Sequence, residues 1–295
     1  MRILITGGTG LIGQKLCRLL HENGHQITVL SRCPESVSEK CGTTVKAIAS
    51  LNEWQPDMVF DVVINLAGEP IADKAWSAKR RQVLLDSRVA LTEKLIDKIA
   101  CAHVKPAVLL SGSAVGYYGH RYDEDLDELS VAGQGFAADL CIAWEKAALQ
   151  AQGLRVCLLR TGLVLSPDGG ILAKMQLPLG LGVRFGSGMQ WMSWIHIDDY
   201  TQLISRLIAD EKISGPVNMI APNPVRNKDF VRSIVASQQG VMALSAPSFL
   251  LKFMLGERSS LLLEGQRVLP DKMLSRGYSF RYADLNSALA NLFHA

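Results

Sequence analysis

The chain has no Cys-x-x-Cys pair: its six cysteines, Cys17, Cys33, Cys41, Cys101, Cys141 and Cys157, lie far apart. That spacing offers neither a zinc knuckle nor a dense disulfide framework, and it fits reduced thiols. The six histidines are equally scattered, so no metal site is expected. No apolar run reaches the roughly 18 residues that a membrane helix needs. The first strand-like run begins at residue 2 and leaves no space for a signal peptide, so the expectation is a cytoplasmic protein without membrane contact. Charge is sparse too: a formal +3 over 295 residues, with Lys and Arg dispersed, gives no groove for nucleic acid. The expected partner is a small polar or anionic molecule.

What is present is apolar patterning, with 48% hydrophobic residues. "RILIT", "QITVLS", "DVVINLA", "AVLLSGS" and "VCLLRTG" are short, nearly continuous apolar runs, as expected of strands buried on both faces. Between them, "LIGQKLCRLLHENG", "SRVALTEKLIDKIA" and "CIAWEKAALQAQG" space their apolar residues as helices do. Strand and helix in alternation predict an α/β fold, a Rossmann-type doubly wound parallel sheet over residues 1–166, with later segments returning to it. Residues 167–295 then form a smaller α+β substrate lobe. It opens with a Gly- and Pro-rich irregular stretch around a short helix, continues through "SWIHIDDYTQLISRLIADE" as strand then helix, and includes "GYSFRY" as a strand.

The glycines of "TGGTGLIG", Gly7, Gly10 and Gly13, follow the first strand directly and, with Leu11 and Ile12 between the last two, open the first helix. Glycine there permits a tight turn and lets backbone N–H groups and the helix N-terminus approach a pyrophosphate. The second strand ends in Ser31 and Arg32, where an NAD-selective protein favours a carboxylate for the ribose hydroxyls. A guanidinium beside a hydroxyl matches a 2′-phosphate instead, so the cofactor expected is NADP(H).

"TGGTGLIG", "NLAGEPI", "SGSAVGYYG", "LRTGLVLSPDGG" and "WIHIDDY" occur in the order found in extended short-chain dehydrogenases and nucleotide-sugar epimerases. More closely, with "LLLEGQRVLPDKMLSRGYSFRY" near its end, the chain resembles the atypical YfcH-type epimerase-family proteins. The resemblance implies that Leu66, Ala67 and Gly68 line the adenosine side of the cofactor, and that Arg88 and Val164 lie along the nucleotide. It implies an NADP(H)-binding, epimerase-like oxidoreductase whose substrate is a nucleotide-linked sugar or a small carbonyl compound.

That superfamily places a Tyr and, four residues on, a Lys on one helix face; the cation makes the phenol a usable acid or base near neutral pH. Aligned on Glu145, this chain has Ala137 and Cys141 there, and neither side chain can replace that pair. The remaining candidates are Ser113, to orient a carbonyl, and Tyr117 or Tyr118, to donate a proton. The missing pair also leaves open a second reading, an NADP(H)-binding sensor without hydride chemistry. Asp139 is a weaker candidate base, His196 matches a place that is structural in the extended enzymes, and Asp198 and Asp199 read as helix-start carboxylates. Trp191, Met192, Trp194, Met175 and Phe185 line either a substrate pocket or a lobe core, and Arg184 is a candidate partner for a diphosphate or carboxylate.

Overall fold

A computed structural model describes residues 1–177, 181–240 and 243–294. Five strands, β1 (Arg2–Thr6), β2 (Gln26–Leu30), β3 (Lys46–Ile48), β4 (Val62–Asn65) and β5 (Val108–Ala114), join Arg155–Thr161 and Gly215–Met219 in one seven-stranded sheet. Its order is Gly215–Met219, Arg155–Thr161, β5, β4, β1, β2, β3, and every neighbouring pair is parallel. The apolar runs are continuous because both faces are covered: Val62, Val63 and Ile64 of β4 are all buried. Against one face lie Leu16 and Leu20 of α1 (Leu11–Glu22), together with Leu203 and Leu207 of the helix Ile197–Ala209. On the other face are α4 (Leu91–Cys101), through Leu95 and Ile99, and α5 (Phe136–Ala148), through Ala148. Two short helices, α2 (Val37–Cys41) and α3 (Ala78–Leu85), lie before α4, and a π-helical turn, Asp86–Ala90, joins α3 to α4.

The chain is thus the doubly wound α/β fold its alternation predicts. Order reverses at β1 and β4: from β1 the chain moves outward to β2 and β3, then returns to β4 on the other side. The C-terminal ends of these two strands therefore bound a crevice, where such sheets bind ligands. Gly215–Met219 and Ile197–Ala209 return from beyond residue 166 to the main sheet.

A second core gathers Leu165, Trp194, Phe230, Ile234, Leu285 and Leu289, from the strand Leu163–Ser166, the helices Asn227–Ser237 and Leu285–His294, and the chain between. Trp194 and Met175 are fully buried in it, so these two candidates of the substrate stretch are core residues. Met192 is also buried there, Phe185 packs against it, and Trp191 stays half-buried. The Gly-rich stretch holds the expected short helix, Ile171–Met175, and two-residue strands, but it departs from the irregular reading at Leu181–Phe185, a five-residue strand paired in parallel with Ala243–Ala246; residues 178–180 lie outside the described residues.

One element is corrected. "GYSFRY", residues 277–282, forms no strand. The backbone N–H groups of Arg281 and Tyr282 each donate to the buried Asp199 carboxylate at 2.9 Å. Tyr278 and Phe280 pack against the main core, while Tyr282 enters the second. The alternating aromatics pin two cores together instead of facing one sheet.

Candidate functional site

The glycine turn is built so that no side chain intrudes. Gly7 has φ +74°, and a Cβ there would stand 2.7 Å from the Leu66 carbonyl carbon. At Gly13 a Cβ would meet the Gly7 carbonyl oxygen at 2.3 Å, so α1 can only leave the turn this closely with glycine at that place. Gly10 caps α1 with no side-chain hydrogen bond, which leaves the helix N-terminus bare. The turn is held from below, where the Cys41 thiol donates to the Gly8 carbonyl at 3.3 Å. Burial raises the pKa of this thiol, so it remains a donor.

An open cleft of about 1320 Å³ runs over this turn, lined by Gly7, Gly10, Ser31, Arg32, Leu66, Ala67 and Gly68 among others. Beside it, sharing Gly7, Gly10 and Leu66, is a hollow of about 350 Å³ lined by Leu11, Ile12, Gly13, Gly162 and Val164. The sequence candidates around the glycine turn are therefore brought together in one groove. Arg88 stands behind it. Its guanidinium donates to the Glu69 carbonyl at 2.9 Å, lies over Trp144 and packs directly under Gly68, where a Cβ would stand 2.9 Å from the Arg88 Cζ.

Arg32 stands in the cleft wall with 90% of its side chain in solvent. Its Nη1 donates to Glu69 Oε1 at 3.1 Å, and the buried Arg80 donates to Glu69 Oε2 at 3.2 Å. The Glu69 carboxyl is held below its ordinary pKa by the hydrogen bond from Arg80 and, next, by that from Arg32. Ser31 is buried, and its hydroxyl oxygen accepts from the Cys33 N–H at 3.2 Å.

At the end of β5 a second cluster forms. Ser113 is buried and its hydroxyl donates to Glu145 Oε1 at 2.6 Å. Glu145, from α5, is gripped by both Nε and Nη2 of Arg160 at 2.9 Å each, with both residues almost fully buried. Arg160 Nη1 donates at 3.0 Å to the Tyr118 hydroxyl, which in turn donates to Asn218 at 2.7 Å. Burial pushes the Tyr118 phenol up to about 12, so it stays protonated inside this chain. The Arg160 guanidinium also lies over the Tyr117 ring, its carbon 3.5 Å from the ring centroid, and Tyr117 is half-buried. Of the three sequence candidates, Ser113 and Tyr118 have their hydroxyls engaged in this network, Tyr117 stacks on its arginine, and none of the three lines the cleft or the hollow beside it.

Ala137 and Cys141 share one face of α5. A Cβ at Gly116 would lie 3.6 Å from the Ala137 Cβ and 3.9 Å from the Cys141 sulfur, so the turn Val115–Tyr118 sits directly against these two small side chains. Burial raises the Cys141 thiol to about 11, which leaves it a neutral core group. Asp139 is exposed. His196 is buried and caps the helix Ile197–Ala209 by accepting from the Asp198 N–H at 3.0 Å. Asp198 and Asp199 open that helix as expected. The Arg184 guanidinium donates to Ser245. Among the described residues no cluster of metal-ligating side chains occurs, and no helix is long and apolar enough to cross a membrane.

Sequence reading missed much of the cleft wall, including Glu69, the turn Ser50–Asn52 and Lys94 of α4. Glu69 carried a usable signal, an acid directly after "NLAG". The other two reach the cleft only because α4 packs beside the turn Leu51–Glu53, which no local pattern announces.

A model of the NAD dependent epimerase/dehydratase family matches residues 3–219, and a domain of unknown function (DUF1731) matches residues 246–292. The chain is 38% identical to the chloroplastic "epimerase family protein SDR39U1 homolog" of Arabidopsis thaliana, over 98% of this chain and 86% of that one. It is 37% identical to epimerase family protein YfhF of Bacillus subtilis, over 99% and 98%. The human epimerase family protein SDR39U1, solved with NADPH, superposes with a TM-score of 0.90 at 32% identity, over 99% of both chains. The Thermus thermophilus UDP-glucose 4-epimerase with NAD, at 16% identity and a TM-score of 0.81, shares the fold. With a glycine-turn cleft at the switch point and full-length likeness to these relatives, the chain belongs to the NAD dependent epimerase/dehydratase family, among the members named epimerase family proteins.

Proposed function

We propose that the protein binds NADP(H) along the groove from Arg32 to Val164 and acts as an epimerase-like oxidoreductase on a small carbonyl or nucleotide-linked substrate. The observation that carries this is the groove itself: a glycine cradle that any Cβ would fill, a bare helix N-terminus, and an exposed guanidinium where a 2′-phosphate would lie. The NADPH of the human relative agrees with it. In this reading Gly7, Gly10, Leu11, Ile12 and Gly13 hold the pyrophosphate, and Ser31 and Arg32 hold the adenosine ribose and its phosphate. Leu66, Ala67 and Gly68 pack on the adenosine side, braced from behind by Arg88, and Val164 lies towards the nicotinamide. Residues 1–166, with the returning segments, form the nucleotide-binding part, residues 167–295 the substrate lobe, and the place of work is the cytoplasm.

Bound nicotinamide would supply hydride donation and acceptance; the chain supplies the proton and the geometry. Ser113, Tyr117 and Tyr118 are the candidate set, and their hydrogen bonds favour a division of labour. Ser113 and Tyr118 fix the strand end and the arginine, which leaves Tyr117 as the candidate to give a proton to a substrate oxygen. The test follows NADPH absorbance against a panel of carbonyl compounds and nucleotide sugars. Turnover that falls at least a hundredfold in Tyr117→Phe, with NADPH affinity kept, supports the enzyme. Unchanged turnover in that variant removes Tyr117 from the chemistry.

A second reading, an NADP(H) sensor without turnover, is favoured by the close seating of the Val115–Tyr118 turn on Ala137 and Cys141, where the superfamily's acid and cation would need room. Tight NADPH binding with no turnover across the panel selects it.

A further inference from the structure

We infer that Glu69 is a specificity-determining residue of the cleft: it restrains the preference for a 2′-phosphorylated nucleotide by competing for Arg32. The inference rests on the NADP(H) reading above. Arg32 follows β2 and Glu69 follows β4, the two strands on either side of β1, so their ion pair closes across the glycine turn that β1 carries. The two partners are unequally free. Glu69 is held at three polar atoms apart from its contact with Arg32: its N–H donates to Ser87 Oγ at 3.1 Å, its carbonyl accepts from Arg88 Nη2 at 2.9 Å, and one carboxylate oxygen accepts from buried Arg80 at 3.2 Å. Arg80 is itself held by the Pro70 carbonyl at 2.6 Å. Arg32 has only its exposed stem and the 3.1 Å contact to Glu69.

A nucleotide phosphate that recruits Arg32 must therefore draw the guanidinium away from, or share it with, a carboxylate that Arg80 holds from its other oxygen. The phosphate dianion also meets the field of that carboxylate, only partly offset by Arg80. A nucleotide with a free 2′-hydroxyl pays neither penalty, and Glu69 can accept a hydrogen bond from it. The acid that NAD-binding folds place at the end of β2 is here supplied from β4, opposite a cation that favours the phosphate.

The test measures dissociation constants for NADPH and NADH by fluorescence titration on the full chain, in wild type, Glu69→Gln, Arg32→Ala and the double variant. Glutamine keeps an oxygen for Arg80 and removes the charge facing Arg32. An exposed ion pair of this kind predicts that NADPH affinity rises about two- to fivefold in Glu69→Gln, with no gain for NADH. The change in the NADH/NADPH ratio should shrink clearly in the Arg32→Ala background, where only the direct field of the carboxylate on the phosphate is left to relieve, a result that a merely structural role for Glu69 would not produce. An unchanged or falling NADPH preference in Glu69→Gln, or the same gain without Arg32, overturns the inference and leaves the cofactor reading standing. Wild-type protein that binds neither nucleotide overturns the cofactor reading itself, and the inference with it.

Discussion

At the residue scale, the glycine turn sorts its own members by how much room each leaves. A Cβ at Gly13 would stand 2.3 Å from the Gly7 oxygen and 2.6 Å from the Gly8 Cα, all backbone that cannot swing aside; at Gly10 the nearest atom is 3.3 Å away. Gly13→Ala should therefore cost stability by about 1–3 kcal/mol and NADPH affinity by more than tenfold, with Gly10→Ala far milder on both. Thermal melts and NADPH titrations of the two variants check the order, and equal effects would mean that the turn is not the nucleotide cradle. This much was legible in the sequence, because a glycine spacing after a strand is a local signal. The network below Tyr117 was not: Ser113, Glu145 and Arg160 are distant in sequence and meet only through strand pairing and helix packing. Its one hint was Arg160 at the end of the apolar run "VCLLRTG", since a charge inside a buried strand must have a partner.

At the scale of elements, buried strands declared themselves by continuous apolar runs, whereas "GYSFRY" misled because its alternation arises from anchoring to two cores rather than from a pleat. The anchor point is the start of the helix Ile197–Ala209. There His196 stacks on Tyr282 at 3.9 Å and accepts from the Asp198 N–H, while Asp198 pairs with Lys15 of α1 at 3.0 Å. Burial lowers the His196 pKa to about 4. The unfolded chain takes up its proton near pH 6.5 and the folded chain only near 4, so stability should rise with pH across that window. The rise should total no more than roughly 3 kcal/mol. Asp199, which burial raises above 3.8, acts with the opposite sign just above that value. Urea unfolding at pH 5 and pH 7 checks this: wild type should be less stable at pH 5, and His196→Asn should lose most of the difference. A slope that persists in the variant assigns the pH dependence to another group.

At the scale of the whole molecule, the chain after Gly277 decides whether the nucleotide-binding sheet and the lobe unfold together. Tyr278 and Phe280 pack on the first core, and Tyr282, Leu285 and Leu289 belong to the second, with the Asp199 carboxylate binding the backbone between them. Removing residues 277–295 would uncover apolar surface in both cores and leave Asp199, which is 2% exposed, without its two backbone donors. An orphaned buried carboxylate costs on the order of 1–3 kcal/mol before any lost packing is counted. The full chain should therefore unfold in urea in a single transition whether followed by far-UV dichroism or by tryptophan fluorescence, to which the fully buried Trp194 of the second core contributes. The truncated chain should show the fluorescence change at clearly lower urea than the dichroism change, because the lobe loses its closing helix while the seven-stranded sheet keeps every strand. Coincident transitions at the wild-type midpoint would show that the last segment merely decorates two cores that are joined elsewhere.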